Sequence, residues 1–366
     1  MKVKELALKN FRNYNTFKQP FNSNKIIFVG DNAQGKTSIL EALNMLAFTK
    51  SHKTNKDQDV IQIGDEYAKI KGLIDFKDKE VSLSVIISKT GKKAKYNGIE
   101  VERLSEYIGS LNVVFFAPED LDLIKGNPKI RRRFLNIELG QQSKAYMYNL
   151  KKYQTLLKER NNLLKTLQEK QTNDYLLLEV ITEQLIDYLK LLVNQRRDFI
   201  KTINEYANKY YRVLAESNDQ LSIEYAPSIE DNYEKVYRSK YKYDIITGTT
   251  NLGAHRDDLK FLINQHEAKT HASQGELRTY VLSIKLALID SIYQTTKRYP
   301  VLLLDDVLSE LDKKRQNKLF HVVQENIQTF ITTTDLKHIS KEALGKTEIY
   351  TIKEGTIKEL KQDAKI

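Results

Sequence analysis

The sequence predicts an α/β protein: a mixed sheet with an antiparallel β-subdomain, interrupted by an inserted helical, short coiled-coil-like domain. Three observations predict it. The apolar run Ile26-Ile27-Phe28-Val29 leads into a glycine-rich turn, after which Ile39, Leu43 and Leu46 recur at helical spacing. Short alternating segments with turn signals fill residues 67–101. Between Gly140 and Gly248 there is no glycine and one proline, Pro227, a composition that reads helical.

The glycine-rich turn is Gly30-Asp31-Asn32-Ala33-Gln34-Gly35-Lys36-Thr37. It matches G-x-x-x-x-G-K-[ST], and strand and helix flank it as a phosphate cradle requires. Glycines let backbone N–H groups turn inward onto phosphate oxygens, and the helix N-terminus adds its positive end. Lys36 is expected to reach the β- and γ-phosphates, and the Thr37 hydroxyl to bind Mg²⁺.

Composition bounds the partners. The chain has 366 residues, enough for one large domain or two to three smaller ones. A net charge of +11 favours an anionic partner, nucleic acid or a membrane surface, although a basic chain can also simply be soluble. The absence of cysteine excludes disulfides and thiolate metal sites and fits a reducing cytosol. No apolar run approaches a membrane span, and Met1-Lys2-Val3-Lys4-Glu5 carries no signal-peptide core. A cytoplasmic location is expected.

The remaining segments follow in order. Val3–Leu8 favours a strand, and Asn10-Phe11-Arg12-Asn13-Tyr14 reads either as a polar turn or as a nucleotide-site wall carrying Arg12 and Asn13. Ser51–Asp57 reads as an exposed polar loop, in which Lys53 is either solvated or near phosphate. Ala68–Ile74 and Val81–Ile86 alternate, Tyr96-Asn97-Gly98-Ile99 suggests a hairpin turn, and Leu111–Phe116 a buried strand stopped before Pro118. In the insert, Leu150, Leu157 and Leu164 recur at sevens, as do Leu178, Leu185, Leu192 and Phe199, with Ile181 and Tyr188 between them. These are seam positions of two packed helices, with a turn near Gln171-Thr172-Asn173. Arg131-Arg132-Arg133, Lys125, Lys129, Lys151, Lys152, Arg196 and Arg197 are candidates for phosphate contact, with a solvated or acid-paired helix face favoured for any single residue.

Leu221–Tyr225 and Phe261–Ile263 return to strand. His255, in Gly253–Leu259, lacks a second ligand at metal spacing. Ser273 caps a helix running to about Tyr293, with Glu276 completing a capping box; the same N-terminus could alternatively face a phosphate. Val301–Leu304 forms a buried strand ending in Asp305 and Asp306, at the sheet edge where open α/β folds bind ligands. Asp305 can hold Mg²⁺, and Asp306 can accept a proton from an attacking water. Thr329–Asp335 is a further strand, and Glu348–Leu360 a hairpin turning at Glu354-Gly355.

Taken together, the phosphate loop, helical insert, Ser273-Gln274-Gly275-Glu276, Leu303-Leu304-Asp305-Asp306 and Ser309-Glu310-Leu311-Asp312 carry a resemblance. The chain resembles the ATPase heads of ABC-type chromosome-maintenance proteins and, within them, the RecF family of bacterial recombination mediators. Asn10–Tyr14, Phe116–Leu121, Arg131–Leu135, Gly253–Leu259 and Leu303–Asp312 carry the closer likeness. The resemblance implies an ABC-type head with an N-terminal lobe at 1–120, a helical insert at 121–245 and a C-terminal lobe at 246–366. It implies nucleotide binding by Gly30, Asp31, Asn32, Ala33, Gln34, Gly35, Lys36, Thr37, Ser38, Arg12 and Gly275, with catalysis by Asp306, Lys36 and Ser273. Thr37 and Asp305 would hold Mg²⁺, Ser273–Glu276 would be the signature that meets the γ-phosphate of a second protomer, and Ser309–Asp312 the D-loop.

The implied activity is weak, DNA-stimulated ATP hydrolysis by an ATP-dependent homodimer on duplex DNA and single-strand gap junctions, which helps RecO and RecR load RecA without a membrane. Departures stand out. Glu119 lies near the expected Q-loop glutamine, Thr334-Asp335 replaces a switch histidine, and Gly-Ala-His-Arg stands where the family has Gly-Pro-His-Arg. Relatives often carry arginine at Lys53, and Asp306 stands where many ABC ATPases have glutamate, its shorter side chain implying slow hydrolysis. The alternative class is the soluble ATPase subunit of an ABC-type transporter, which the long insert and positive charge disfavour.

Overall fold

The computed structural model describes residues 1–54, 56–76, 79–170, 175–323, 325–336 and 347–360. In chain order, a hairpin of β1 (Lys2–Phe11) and β2 (Tyr14–Pro20) is followed by β3 (Lys25–Val29) and α1 (Lys36–Phe48). Then come β4 (Tyr67–Asp75), β5 (Glu80–Ser88), β6 (Gly91–Tyr96), β7 (Ile99–Glu100), α2 (Leu104–Tyr107) and β8 (Val113–Phe116). The middle of the chain holds α3 (Asp122–Lys125), α4 (Pro128–Gln142), α5 (Lys144–Lys170), α6 (Leu176–Ala215), β9 (Leu221–Ala226) and α7 (Tyr233–Thr247). After β10 (Asp258–Ile263), β11 (His266–Glu267) and α8 (Ala268–His271) come α9 (Gln274–Thr296) and β12 (Val301–Asp305). The chain closes with α10 (Lys313–Val322), β13 (Thr329–Thr333), β14 (Thr347–Lys353) and β15 (Thr356–Leu360).

These elements form two compact units. Met1–Asp120, Tyr206–Asn218 and Arg278–Ile366 make the first; Leu121–Glu205 and Asp219–Leu277 make the second. Residues 246–277, grouped by sequence with the C-terminal lobe, here fall with the helical unit.

The first unit holds two six-stranded sheets. One, in the order β2-β1-β4-β5-β6-β7, is antiparallel throughout. The other runs β15-β14-β3-β13-β12-β8 and is parallel except for β15. Its central strands are covered on both faces, as continuous apolar runs in parallel sheets require: all five residues of β12 and of β13 are buried. Register sets what meets at its carboxyl edge. Val29 pairs with Thr333, Asp305 with Thr332, and Leu304 with Phe116, so the loops after β3, β12, β13 and β8 leave from one rim.

Between the sheets lies α1, packed on β4 and β5 and also on β8, β12 and β13. The sequence suggests one apolar stripe of Ile39, Leu43 and Leu46. Leu40, Ala42, Met45 and Ala47 are buried just as fully. A helix buried nearly all round is a core helix, and this one carries the glycine-rich loop on its N-terminus. The polar segment after it is not uniformly exposed, because Ser51 is buried and donates to the buried Glu41. The strand beginning at Tyr14 is not evident in the sequence, which shows only a polar turn there.

In the second unit β11, β10 and β9 form a three-stranded sheet. The paired-helix seam exists, but its membership differs from the leucine pattern. Along α5 the buried positions are Tyr146, Leu150, Tyr153, Leu156, Arg160, Leu164 and Leu167, and Leu157 is only half-buried. On α6, Thr182, Leu189 and Arg196 are buried where Ile181 and Tyr188 are half-buried. The shift has a polar cause. Arg160 is fully buried in the seam and donates to Thr182 Oγ1 at 2.9 Å, Asp244 Oδ2 at 2.9 Å and Thr250 Oγ1 at 2.7 Å. The expected turn at Gln171–Asn173 lies outside the described residues.

The basic run at the start of the insert divides. Arg131 and Arg196 are buried and acid-paired, to Asp258 at 2.5 Å and to Asp257 at 2.8 Å, so the acid-paired alternative holds for both. Burial works against the Arg196 charge, but Tyr146, Tyr225 and Asp257 more than offset it and hold the proton more tightly than usual. His255 uses both ring nitrogens in hydrogen bonds, with Tyr153 Oη and Thr250 O at 2.9 Å each. Among the described residues no helix is long and apolar enough to cross a membrane.

Removing one partner of a buried ion pair leaves the other charge stranded in a low dielectric. Arg160→Ala is therefore expected to lower the unfolding free energy by about 3–5 kcal/mol. Urea denaturation followed by circular dichroism checks this, and a loss below about 1 kcal/mol contradicts the seam role of Arg160.

Candidate nucleotide-binding site

Where β3 ends, the chain must reverse beneath the β14–β15 hairpin. A Cβ on Gly30 would sit 2.4 Å from Ile352 O. Ala33 (φ 64°) and Gly35 (φ 109°) both take left-handed conformations, and a Cβ on Gly35 would meet Asn13 Nδ2 at 2.6 Å and Tyr14 Oη at 2.8 Å. Such alternation points consecutive N–H groups into one concavity. No side chain caps α1, and Ser38 N–H turns back to Gly35 O at 3.1 Å, so the Lys36 and Thr37 N–H groups are the ones its first turn offers to an anion.

Gln34 anchors this loop from outside. Its Oε1 accepts from Glu354 N at 2.7 Å, and its carbonyl accepts from Gly355 N at 3.2 Å and Asn13 Nδ2 at 3.3 Å. Lys36 folds across the loop, donating to Gly30 O at 2.5 Å and Asp31 O at 2.8 Å. Burial lowers its pKa despite the charges of Asp306, Asp305 and Asp31.

The acids approach from β12. Asp305 Oδ1 accepts from Thr37 Oγ1 at 2.8 Å and from Thr332 Oγ1 at 2.7 Å. Burial raises the Asp305 pKa, and those two hydroxyls pull it back only in part. Asp306 turns out of the strand with φ 53°, an uncommon conformation for a non-glycine residue. Its N–H donates to Thr332 Oγ1 at 2.9 Å, and its Oδ1 is buried with no hydrogen-bond partner among the described residues. Ser309 Oγ closes the following turn on Asp306 O at 2.7 Å, and Asp312 caps α10 through Arg315 N at 2.9 Å.

Gly35, Lys36, Thr37, Asp305, Asp306 and Thr332 line a cavity of about 840 Å³ together with Asn32, Ala33, Ser38, Arg12 and Asn13, within the usual size of a ligand pocket. Gly30, Asp31 and Gln34 sit behind the lining and shape it. Lys53, Pro118 and Glu119 join the wall, so both residues left open by the sequence, Lys53 and Glu119, stand at the cavity. The exit of β8 is fixed by Lys285, which donates to Phe115 O and pairs with Asp120, each at 2.8 Å.

Arg12 is both a turn residue and a wall residue. It is left-handed (φ 54°), its Nε and Nη2 clamp the Glu41 carboxylate at 2.9 and 2.7 Å, and its Nη1 donates to Asp59 O at 2.7 Å. Burial pushes the Glu41 pKa up, but Arg12 and Ser51 outweigh it and leave the carboxyl below its usual range. Thr332 and Glu41 are the supporting residues the sequence did not single out. A polar triplet ending a buried strand was a signal for the first. Glu41, in an apolar helix, gave none without a partner in view.

The donor set fits a magnesium nucleotide. Thr37 and Asp305 offer the hard oxygen ligands Mg²⁺ prefers, and the loop, Lys36 and the uncapped helix offer cationic and N–H contacts to phosphate. Ser273 and Gly275 belong to the second unit, at the start of α9. There Ser273 N donates to Glu276 Oε2 at 2.7 Å and Glu276 N to Ser273 Oγ at 3.3 Å, the expected capping box.

Residues 2–358 match the family model described as RecF/RecN/SMC N terminal domain. The chain is 44% identical over 368 residues to the DNA replication and repair protein RecF of Oceanobacillus iheyensis, covering 98% of this chain and 100% of that one. The chain belongs to the RecF family. The RecF of Shouchella clausii is 42% identical over 371 residues, with 98% and 100% covered. Among solved structures, that of the recombination mediator protein RecF-ATP in the RecFOR pathway superposes with a TM-score of 0.90 at 30% identity, covering 98% of this chain and 97% of that one. An Smc head bound to the C-winged helix domain of ScpA matches at 16% identity and a TM-score of 0.59, covering 99% and 98%, which shows the shared ABC-type head fold.

His52 packs against Phe115 with the rings tilted by 57° and centroids 4.3 Å apart, and both its nitrogens are buried without a hydrogen bond among the described residues. Burial lowers its pKa to about 4 against the raising effect of Glu41. The unfolded chain therefore binds a proton that the folded chain refuses between pH 6.5 and 4, and stability falls as pH drops through that window. Glu41 acts lower, its contribution present above 4.5 and lost as pH falls through its depressed folded pKa. Denaturation at pH 7 and pH 5 should show a smaller acid loss in His52→Phe than in the parent; equal losses would remove His52 as the cause.

Proposed function

We propose that this chain is an ATP-binding and ATP-hydrolysing protein of DNA replication and repair that works as a nucleotide-gated dimer on DNA. The observation that carries the reading is the meeting of Thr37 and Asp305 at 2.8 Å beside an uncapped helix N-terminus. The names of the relatives support the repair role, and the RecF-ATP structure supports the nucleotide.

In this reading the loop N–H groups and Lys36 bind the polyphosphate, and Thr37 and Asp305 hold Mg²⁺. When bound, Mg²⁺ supplies the Lewis acid that neutralises charge on the transferring phosphoryl group. Asp306 takes the proton of the water that attacks the γ-phosphate, and its unsatisfied buried oxygen makes it a ready acceptor. Ser273 and Gly275 of a second copy complete the phosphate shell, with Ser309–Asp312 at the shared interface. Two copies joined this way present basic surfaces to duplex DNA and gap junctions. Hydrolysis removes the bridging γ-phosphate and frees the copies. The RecFOR pathway named for the RecF-ATP structure supports RecO and RecR as partners; in this reading the chain helps them load RecA in the cytoplasm at the nucleoid.

Light scattering with ATP, ADP and no nucleotide tests this. ATP should double the mass, and Lys36→Met should stay monomeric. Asp306→Asn should keep the ATP-dependent dimer while lowering kcat by about 10²–10⁴-fold. A mass indifferent to ATP overturns the reading.

A further inference from the structure

The antiparallel sheet of the first unit buries one face on α1 and turns the other to solvent. Register shows what the outer face carries. Lys9 on β1 pairs with Thr16 and with Lys69 on β4; Lys69 pairs with Ile86, and Ile86 with Lys93 on β6. In the next outward row Lys18 on β2 pairs with Ala7, Ala7 with Lys71, Lys71 with Ser84, and Ser84 with Lys95. Successive outward residues lie about 6.7 Å apart along a strand and neighbouring strands about 4.8 Å apart. Six lysines thus fill two adjacent rows of a rigid patch about 19 Å wide.

Most carboxylates of this face lie outside the two rows. Glu5, Asp75 and Glu80 sit toward the opposite end of the strands, where Lys4 pairs with Asp75, and Glu100 on β7 stands beside Lys95 at the edge of the second row. Among the described residues Lys18 pairs with Glu5 and Lys93 with Glu100, both lysines being strongly exposed, whereas Lys9, Lys69, Lys71 and Lys95 have no ion-pair partner. Lys9 and Lys69 stand directly opposite each other, an arrangement that costs stability in an antiparallel pair. Folding gives no reason for this arrangement, and an anionic partner does.

We propose that this lysine lattice is the face on which the first unit holds the phosphate backbone of duplex DNA. The inference rests on the DNA-binding reading above and assigns a surface to it. Single strands are gripped by stacking bases on aromatic rings. The one aromatic in the neighbouring outward row is Tyr67, and the Lys9 ammonium lies over its ring at 5.6 Å. No aromatic stands within the two lysine rows. Point charges on a rigid sheet suit sequence-independent contact with a regular backbone. Lys9 also lies three residues before Arg12 at the cavity wall, so β1 and the turn that follows it serve both sites.

The test compares the parent, a Lys69→Gln/Lys71→Gln/Lys95→Gln variant and the corresponding Lys→Arg variant. Each is titrated with fluorescent duplex DNA in ATP at several salt concentrations, and with vesicles of anionic lipid. Nucleotide binding and helical content serve as controls, since none of the three lysines touches the cavity. The glutamine variant should lose about ten- to a hundredfold in DNA affinity at 0.15 M salt, with the slope of log affinity on log salt shallower by about 2–3. The arginine variant should bind as the parent does. Equal affinity and slope for parent and glutamine variant overturn the assignment, as does a loss shared by the arginine variant. A loss confined to the vesicles gives the face to a membrane and overturns it too. A parent that binds no duplex fails earlier, at the DNA-binding reading itself.

Discussion

The structure of the first unit converges on one carboxylate. Asp305 receives hydroxyl hydrogen bonds from Thr37, at the start of the phosphate-loop helix, and from Thr332, at the end of β13. It can do so only because β3, β13 and β12 lie side by side and end level. A slip of one residue in β12 would turn Asp305 to the other face of the sheet. The continuous burial of Val301–Leu304 makes such a slip costly, since it would move apolar side chains against different neighbours in a packed core. The apolar strand is thus the ruler that positions the acid, and the acid ties the loop helix to the sheet.

The second unit is held differently. Its long helices enclose charged pairs rather than an uninterrupted apolar seam: Arg160 with Asp244, Arg196 with Asp257, and Arg131 with Asp258 toward the edge. Buried pairs of this kind add little net stability over apolar packing but penalise any alternative pairing that separates them. The Gly253–Leu259 segment supplies two of these acids, Asp257 and Asp258, which gives its run of polar residues a structural purpose.

Local signals carried much of this architecture. The phosphate loop, both acids after β12, the capping box at Ser273 and the hairpin turns at Asn97-Gly98 and Glu354-Gly355 each depend on residues adjacent in the chain. What stayed hidden depends on partners far apart. Glu41 becomes intelligible only beside Arg12 and Ser51. The seam shifts from Leu157, Ile181 and Tyr188 to Leu156, Thr182 and Leu189 because Arg160 must reach Asp244. For the arginines of the basic run the sequence favours a solvated or acid-paired face over phosphate contact at any single position, but it does not name the carboxylates that pair them. The six outward lysines are scattered over four strands in sequence and come together only through register.

The central claim is that Thr37 and Asp305 form one half of a magnesium site whose other half is the nucleotide. Calorimetric titration of ATP, with and without Mg²⁺, into the parent and Thr37→Val tests it most directly. The account predicts that Mg²⁺ tightens ATP binding to the parent at least tenfold, about 1.4 kcal/mol, and does little for Thr37→Val. ATP affinity that ignores Mg²⁺ in the parent, or that responds equally in both proteins, would contradict it.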